Sequence, residues 1–332
     1  MIARPLGETG VCVHPVGLGC MSLSGFYGPS SEAEAMRLLG AALDLGVDFL
    51  DTANVYGEGL SESRIGQFLA EERGRRAKLT LATKFSISRN AEGKRFIDNS
   101  EAHMIEALDG SLKRLGVDHI DLYYVHRLDP RFPIEDTVGA LARQVEKGKI
   151  RAIGLSETAP DTLRRACAAH PIAAMQSEYS LWTRGPELGM LQTCAELGVA
   201  FVAFSPVARG ALSGRVRDIE ALPAGDFRKG TPRFAGVNWQ RNLARIDAYV
   251  ELAKSFGRDP CELALAWVLA QGAHVLAIPG TRYPENLAHD VGAAEKPLTA
   301  AEAEALARVL PVGWAAGDRY TDAQWNNIER YC

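Results

Sequence analysis

The chain has little of what would place it in several common classes. Its six cysteines (Cys12, Cys20, Cys167, Cys194, Cys261 and Cys332) are scattered, with no CxxC or CxxxC pair. Neither a disulfide framework nor a zinc site is expected from that spacing, and a reducing cytoplasm is the expected setting. No apolar run approaches the roughly 20 residues that a membrane helix needs. The opening MIARPLGETG lacks the apolar core of a signal peptide. Neither sign of charge dominates: 37 Lys and Arg stand against 41 Asp and Glu, a net charge of −4. Such a chain has no general attraction for nucleic acid or an anionic membrane. The dinucleotide fingerprint GxGxxG is missing as well. Gly17-Leu18-Gly19 runs into Cys20 and Met21, without the third glycine. There is no internal repeat, low-complexity tract or linker, so residues 1–332 are expected to form one domain.

What the chain does have is alternation. Short apolar runs recur at 14–19, 47–53, 79–84, 120–126, 151–157, 173–179, 200–206 and 274–280. They are nearly continuous in apolar residues, as strands covered on both faces should be. Amphipathic stretches separate them. Residues 31–46 begin with Ser31 and Glu34, a capping-box pair, and end at Gly46. A second start is expected at Ser61, and residues 99–116 align Met104, Ile105, Leu108, Leu112 and Leu115 along one face. An apolar fraction of 47% supplies enough core for a large single unit. Eight strands, each followed by helix, predict a (β/α)8 TIM barrel. Three additions are expected: an N-terminal β-hairpin over 3–17 plugging the barrel, a long insert at 207–239, and extra C-terminal helix beginning at 299–310.

On such a barrel the C-terminal strand ends carry the chemistry. Asp51, Lys84 and His126 hold that position on the second, third and fourth strands, and Tyr56 lies five residues past Asp51. An unperturbed phenol, with a pKa of about 10, is a poor acid at neutral pH. A neighbouring ammonium favours the phenolate. Asp51 would hold Lys84 charged, and His126 would donate to a carbonyl oxygen or relay a proton to Tyr56. The set protonates an aldehyde or ketone but supplies no hydride, so it implies a nicotinamide cofactor.

The blocks DTANVYGEGLSE, LATKF, DLYYVHR and GLSE resemble the signature blocks of the aldo-keto reductase superfamily, closest to its short-loop microbial and plant branch. The resemblance covers essentially the whole chain. It implies Tyr56 as general acid, Lys84 and Asp51 as its tuning pair, and His126 as the carbonyl-orienting group. It also implies NADPH, with NADH possible, extended across the rim. Gly19, Cys20, Met21 and Asp51 would lie near the nicotinamide ribose. Ser156 and Gln176 would hold the carboxamide. Phe204 stands where a tyrosine usually stacks on the nicotinamide. Ser205, Pro206, Arg209, Gly210 and Leu212 would surround the pyrophosphate. Gly280, Thr281, Arg282 and Asn286 would meet the adenosine end and its 2′-phosphate. Tyr283 replaces a frequent basic residue there, and Asp290 would bring negative charge nearby. Phe26, Tyr27, Tyr56, His126 and Trp182 would contact a small-molecule carbonyl substrate, with Asn54, Val55 and Arg127 as further candidates.

Two other classes fit part of the pattern. The same fold serves as a nucleotide-binding accessory subunit with little turnover. A lysine at a barrel strand end also suits a Schiff-base aldolase. A monomer or small homo-oligomer, with no nucleic-acid or membrane partner, is expected in each case.

Overall fold

The computed structural model describes residues 3–90 and 92–330. The chain opens with β1 (Arg4–Pro5) and β2 (Cys12–Val13), an antiparallel pair. Gly7 turns it at φ 59°, and a Cβ there would sit 2.4 Å from the Ala173 carbonyl oxygen, so only glycine fits. Leu6 and Val13 pack with Phe49, Leu122, Val202 and Leu276 inside the barrel, which is the expected plug.

Then the alternation begins: β3 (Leu18–Gly19), α1 (Glu32–Asp44), β4 (Phe49–Asp51), α2 (Leu60–Ala70) and β5 (Thr80–Phe85). A small hairpin, β6 (Ile87–Arg89) and β7 (Arg95–Ile97), precedes α3 (Glu101–Leu115). The series continues with β8 (Ile120–Val125), α4 (Ile134–Glu146), β9 (Ile150–Ser156), α5 (Pro160–Ala169), β10 (Ala174–Glu178), α6 (Met190–Glu196) and β11 (Ala200–Phe204). It ends with α7 (Gly236–Ser255), α8 (Pro260–Leu269), β12 (Val275–Ile278), α9 (Pro284–Glu295) and α10 (Ala300–Val309). Eight strands pair in the order β3-β4-β5-β8-β9-β10-β11-β12, every neighbour parallel. A parallel bridge from Val16 to Ala277, with Gly17 N donating to Ala277 O at 2.8 Å, closes the ring.

Local chemistry explains most element ends. The Ser31–Glu34 capping box forms as expected. Ser100 caps α3 and Gly116 ends it in the left-handed region. Ser61 is a correction: Gly59 precedes α2, and Ser61 is buried in its first turn, where its hydroxyl donates to Cys20 O at 2.8 Å. Helix α8 lacks an amphipathic period because Glu262 through Leu269 are all buried, so only the Asp259 cap and Pro260 mark it in sequence. The 207–239 insert holds short 3₁₀ turns at 208–213, 227–230 and 232–234, and α7 begins inside it at Gly236.

Strand period then sorts the side chains. Leu81, Phe85, Tyr123, Ile153, Met175 and Phe201 pack outward against the helices. Phe49, Ala82, Leu122, Tyr124, Ala152, Ala174, Val202 and Ile278 fill the barrel. Several are small, which leaves room for large neighbours. A Cβ on Gly154 would lie 2.4 Å from the Tyr124 ring.

Candidate active site

Two residues beyond each inward position lies a rim residue of the same phase. Phe49 leads to Asp51, Ala82 to Lys84, Tyr124 to His126, Gly154 to Ser156, Ala174 to Gln176 and Val202 to Phe204. Gln176 Nε2 donates to Asp51 Oδ2 at 2.8 Å, from β10 to the non-adjacent β4, so these side chains meet across the barrel mouth.

Lys84 is fully buried and donates to Asp51 and, at 2.9 Å, to Thr52 O. Burial works against its charge, but Asp51 and then Tyr56 more than restore it, so Lys84 stays an ammonium. Its Nζ lies 5.3 Å from the centroid of the Tyr56 ring. Tyr56 is held by a tight loop: its N–H donates to Ala53 O at 3.1 Å, and its carbonyl accepts from Ser61 N. Gly57, at φ 59°, passes so near Ser24 that a Cβ would meet it at 2.8 Å. The Tyr56 and His126 rings meet edge-on, with centroids 6.0 Å apart. Burial depresses the His126 pKa well below its ordinary value, and Arg127, Lys84 and Arg95 add to the depression. The imidazole is therefore neutral, and its Nδ1 is buried without a partner.

The phenol departs from expectation. Its pKa is raised from 10, because burial outweighs the lowering by Lys84, and Asp51 works against the ammonium. At neutral pH Tyr56 keeps its proton firmly.

On the cofactor side, Gly19 N donates to Pro279 O at 2.9 Å, Cys20 is buried and Met21 is half-buried. Ser156 is buried, and its Oγ accepts a long 3.4 Å bond from Arg127. Phe204 packs beside the inward cluster at the end of β11. After it, Ser205, Ala208 and Arg209 take φ of 51°, 53° and 56°, followed by Gly210 at 87°. Left-handed non-glycine residues cost about 1–3 kcal/mol each and persist only where the surroundings hold them. The Arg209 side chain provides that hold, so its expected placement on the pyrophosphate is corrected. It points inward, pairs with Glu178 at 2.6 Å and donates to Arg319 O. Pro206 and Leu212 are buried, so this loop presents chiefly backbone. At the adenosine end, Gly280 is exposed. Thr281 Oγ1 accepts from Tyr283 N and Asn286 Nδ2. Asn286 Oδ1 accepts from Arg215, a cation three residues past Leu212, at 2.5 Å. Arg282 donates to Pro29 O. Asp290 is buried, and burial and then Asp259 push its pKa well above the ordinary carboxylate range against the pull of Arg215, which disfavours its negative charge.

The model of the Aldo/keto reductase family matches residues 15–311. The chain belongs to that family. It is 41% identical over 320 residues to the NADP(+) aldo-keto reductase yakc of Schizosaccharomyces pombe, covering 95% of this chain and 94% of the relative. It is 41% identical over 327 residues to probable aldo-keto reductase 1 of Glycine max, covering 98% and 92%. Among solved structures, glycerol dehydrogenase AKR11B4 of Gluconobacter oxydans superposes with a TM-score of 0.84 at 30% identity, covering 93% of this chain and 96% of that one.

The substrate side of this reductase-family barrel departs further from expectation. Phe26 is partly exposed, meets Tyr27 edge-on and lies 5.4 Å from Phe227, so the loop after β3 reaches the insert. Burial raises the Tyr27 pKa to about 12. Trp182 does not stand free as a wall. It is 3% exposed and packed against Phe234 and Trp314, with its indole N–H buried and unpartnered. Asn54 donates to Ile87 O at 3.4 Å, Val55 is half-buried, and Arg127 is buried beside His126. Sequence reasoning missed Glu157, Glu178 and Arg319. Arg319 pairs with Glu157 and reaches Glu178 at 3.7 Å. Glu157 lies inside the recognised GLSE block, which offered a signal; Arg319 had none.

Proposed function

We propose that this protein reduces an aldehyde or ketone to the alcohol, reversibly, with NADPH as the favoured cofactor and NADH also accepted. The observation carrying this reading is the buried Lys84–Asp51 pair facing the Tyr56 phenol beside a neutral His126. The rim residues fit a nicotinamide nucleotide. Ser156 and Gln176 are register neighbours at the ends of β9 and β10, Phe204 offers a flat apolar ring, and the loop at 205–210 carries left-handed backbone at Ser205, Ala208, Arg209 and Gly210. Thr281, Arg282 and Asn286 cluster where a 2′-phosphate would approach, with Arg215 adding a cation. The yakc relative carries NADP(+) in its name, which supports the preference.

When bound, the nicotinamide supplies the hydride. Tyr56 gives its hydroxyl proton to the carbonyl oxygen. Its raised pKa keeps that proton in place until negative charge develops on the oxygen. Lys84 then stabilises the phenolate, and Asp51 fixes the ammonium so that no reorientation is needed. His126, neutral, donates a hydrogen bond to the same oxygen and orients it. The charged Lys84 is a poor amine nucleophile, which argues against Schiff-base chemistry. We place the protein in the cytoplasm as a single barrel domain, alone or in a small homo-oligomer. The free cysteines Cys12, Cys20, Cys167, Cys194 and Cys261 support that setting. Among the described residues no helix is long and apolar enough to cross a membrane.

Tyr56→Phe tests the assignment. NADPH-dependent reduction of a simple aldehyde should fall by about 10²–10⁴-fold, the usual contribution of a general acid. NADPH affinity, followed by protein fluorescence, should stay within a few fold. An equal loss in both, or a rate within tenfold of the parent, would remove Tyr56 from that role. Parent protein that binds NADPH but turns over no carbonyl would favour the accessory-subunit class.

A further inference from the structure

Of the groups gathered at the mouth, His126 is the least tethered by its own side chain. Lys84 donates to Asp51 and to Thr52 O, and Asp51 also accepts from Gln176. Among the described residues the His126 ring has no such tether: its Nδ1 is buried with no partner, and the ring meets Tyr56 edge-on. Its direction therefore rests on packing and on the backbone that carries it.

That backbone is leaving the sheet. His126 N donates to Phe85 O at 3.1 Å, just past the end of β8. The next two carbonyls are held by side chains: Arg127 Nη1 donates to His126 O at 2.6 Å, and Asn99 Nδ2 donates to Arg127 O at 3.1 Å. Asn99 is 3% exposed. It is fixed on both sides, because Asp98 N donates to Ser86 O at 2.9 Å and Ser100 caps α3. Ser86 lies two residues past Lys84. Asn99 thus ties the exit of β8, which carries His126, to the exit of β5, which carries Lys84. The amide is oriented by its partner, since only Nδ2 can donate to a carbonyl. That leaves Asn99 Oδ1 buried with no partner. An unmet buried acceptor weakens a fold, so stability alone is a poor reason for an amide at this position.

We propose that Asn99 is a positioning residue: by holding the Arg127 carbonyl it fixes the peptide that follows His126 and aims the imidazole at the substrate oxygen. This deepens the reductase reading above and rests on it for the substrate. With Asn99 in place, His126 donates along one direction. Without it, the turn at 126–127 loses its hold from the β5 side and the donor drifts from the line to the oxygen. A misplacement of about 1 Å can cost about 10²-fold in rate.

The test is a double-mutant cycle on the reduction of a simple aldehyde by NADPH, comparing the parent, Asn99→Ala, His126→Ala and the two together. In the parent background Asn99→Ala should lower kcat by about tenfold or more, with NADPH affinity, read by fluorescence, within about threefold. In the His126→Ala background the same change should lower kcat by less than about threefold, because the group it aims is gone. Equal losses in the two backgrounds, or no loss in the first, overturn the inference and make Asn99 a support of the fold. Asn99→Leu serves as a second variant: it fills the same space and removes both the donor and the unmet acceptor, so it should fold as well as the parent yet repeat the loss in kcat. A readout free of turnover follows the ring itself. In protein labelled with [15N]histidine, the signal that disappears in His126→Ala should shift or broaden in Asn99→Leu, while those of His14, His119, His170 and His274 stay in place. An unchanged His126 signal overturns the inference. A parent that reduces no aldehyde overturns the reductase reading instead, and the histidine signal then decides the positioning alone.

Discussion

Two groups of buried charge share the barrel rim, and they differ in how completely they are satisfied. Around β9 and β10, Glu157 and Glu178 are matched by Arg209 and Arg319, and Thr183 donates to Glu178 at 2.9 Å. The aromatic rings of Phe227, Tyr320 and Trp325 cover the guanidiniums, with Arg209 5.1 Å from the Phe227 centroid and Arg319 4.7 Å from that of Trp325. Around β4, β5 and β8, Asp51 and Lys84 are matched, but His126 Nδ1 and Arg127 Nε are not. The first group closes on itself and ties the insert and the C-terminal tail to the barrel. The second leaves two buried nitrogens without a hydrogen-bond partner. Buried polar groups are almost always partnered, so the two groups differ in a way that packing alone does not require.

The comparison breaks most visibly at Glu178. Burial opposes its charge, but Arg209, Arg319 and Arg233 hold its pKa below the ordinary value. Glu178→Gln keeps the shape and removes the charge, which strands Arg209. Breaking a buried pair from one side costs about 3–5 kcal/mol. Urea unfolding should show a loss of that size. A loss under about 1 kcal/mol, the scale of an exposed ion pair, would mean the network is wetter than its burial implies.

Acid separates the two groups. In the folded protein His126 is neutral with a depressed pKa, whereas the unfolded chain takes up a proton at about 6.5. Stability from this residue is therefore full above pH 6.5 and declines as pH falls below it, by up to about 1.4 kcal/mol per pH unit. Glu178, with a depressed carboxylate pKa, contributes stability that is lost only as pH falls below its unfolded value near 4.5. Tm measured from pH 7 to 4 should thus begin to fall near 6.5. His126→Gln should flatten the segment above 4.5 and leave the later loss intact. The flattening is partial, because His119 and His274 are also shifted down by burial. An unchanged slope in the variant would mean that His126 is charged in the fold.

The open group was legible in sequence and the closed one was not, for a physical reason. Asp51, Lys84, His126, Ser156, Gln176 and Phe204 extend the inward phase of their strands, so the apolar runs that mark the barrel also count out its rim. The hairpin plug was legible from its glycines. Arg319 and Glu329 come from an irregular tail, where no period links a residue to its neighbour in space. Direction was also hidden where side chains are long: Arg209 sits in a recognised loop yet points inward to Glu178. Balance was the hardest quantity to foresee. The ammonium beside Tyr56 was evident, but whether it outweighs burial and Asp51 depended on packing, and it does not.

The smallest effect tests how firmly the tail belongs to the closed group. Helix α5 starts after Ala159, which offers no capping side chain. Glu329, 170 residues away in the chain, accepts from Ala159 N at 2.7 Å and from Thr162 Oγ1 at 2.9 Å. It therefore serves as a cap supplied from a distance, and its charge suits the positive end of the helix. Glu329→Ala should cost about 1 kcal/mol, the usual worth of an N-cap. Backbone amides near the start of α5 should exchange faster with solvent, while those of β4 and β5 stay protected. Uniform loss of protection across the barrel would instead make the tail part of one cooperative unit with the open group, and the division drawn between the two would fail.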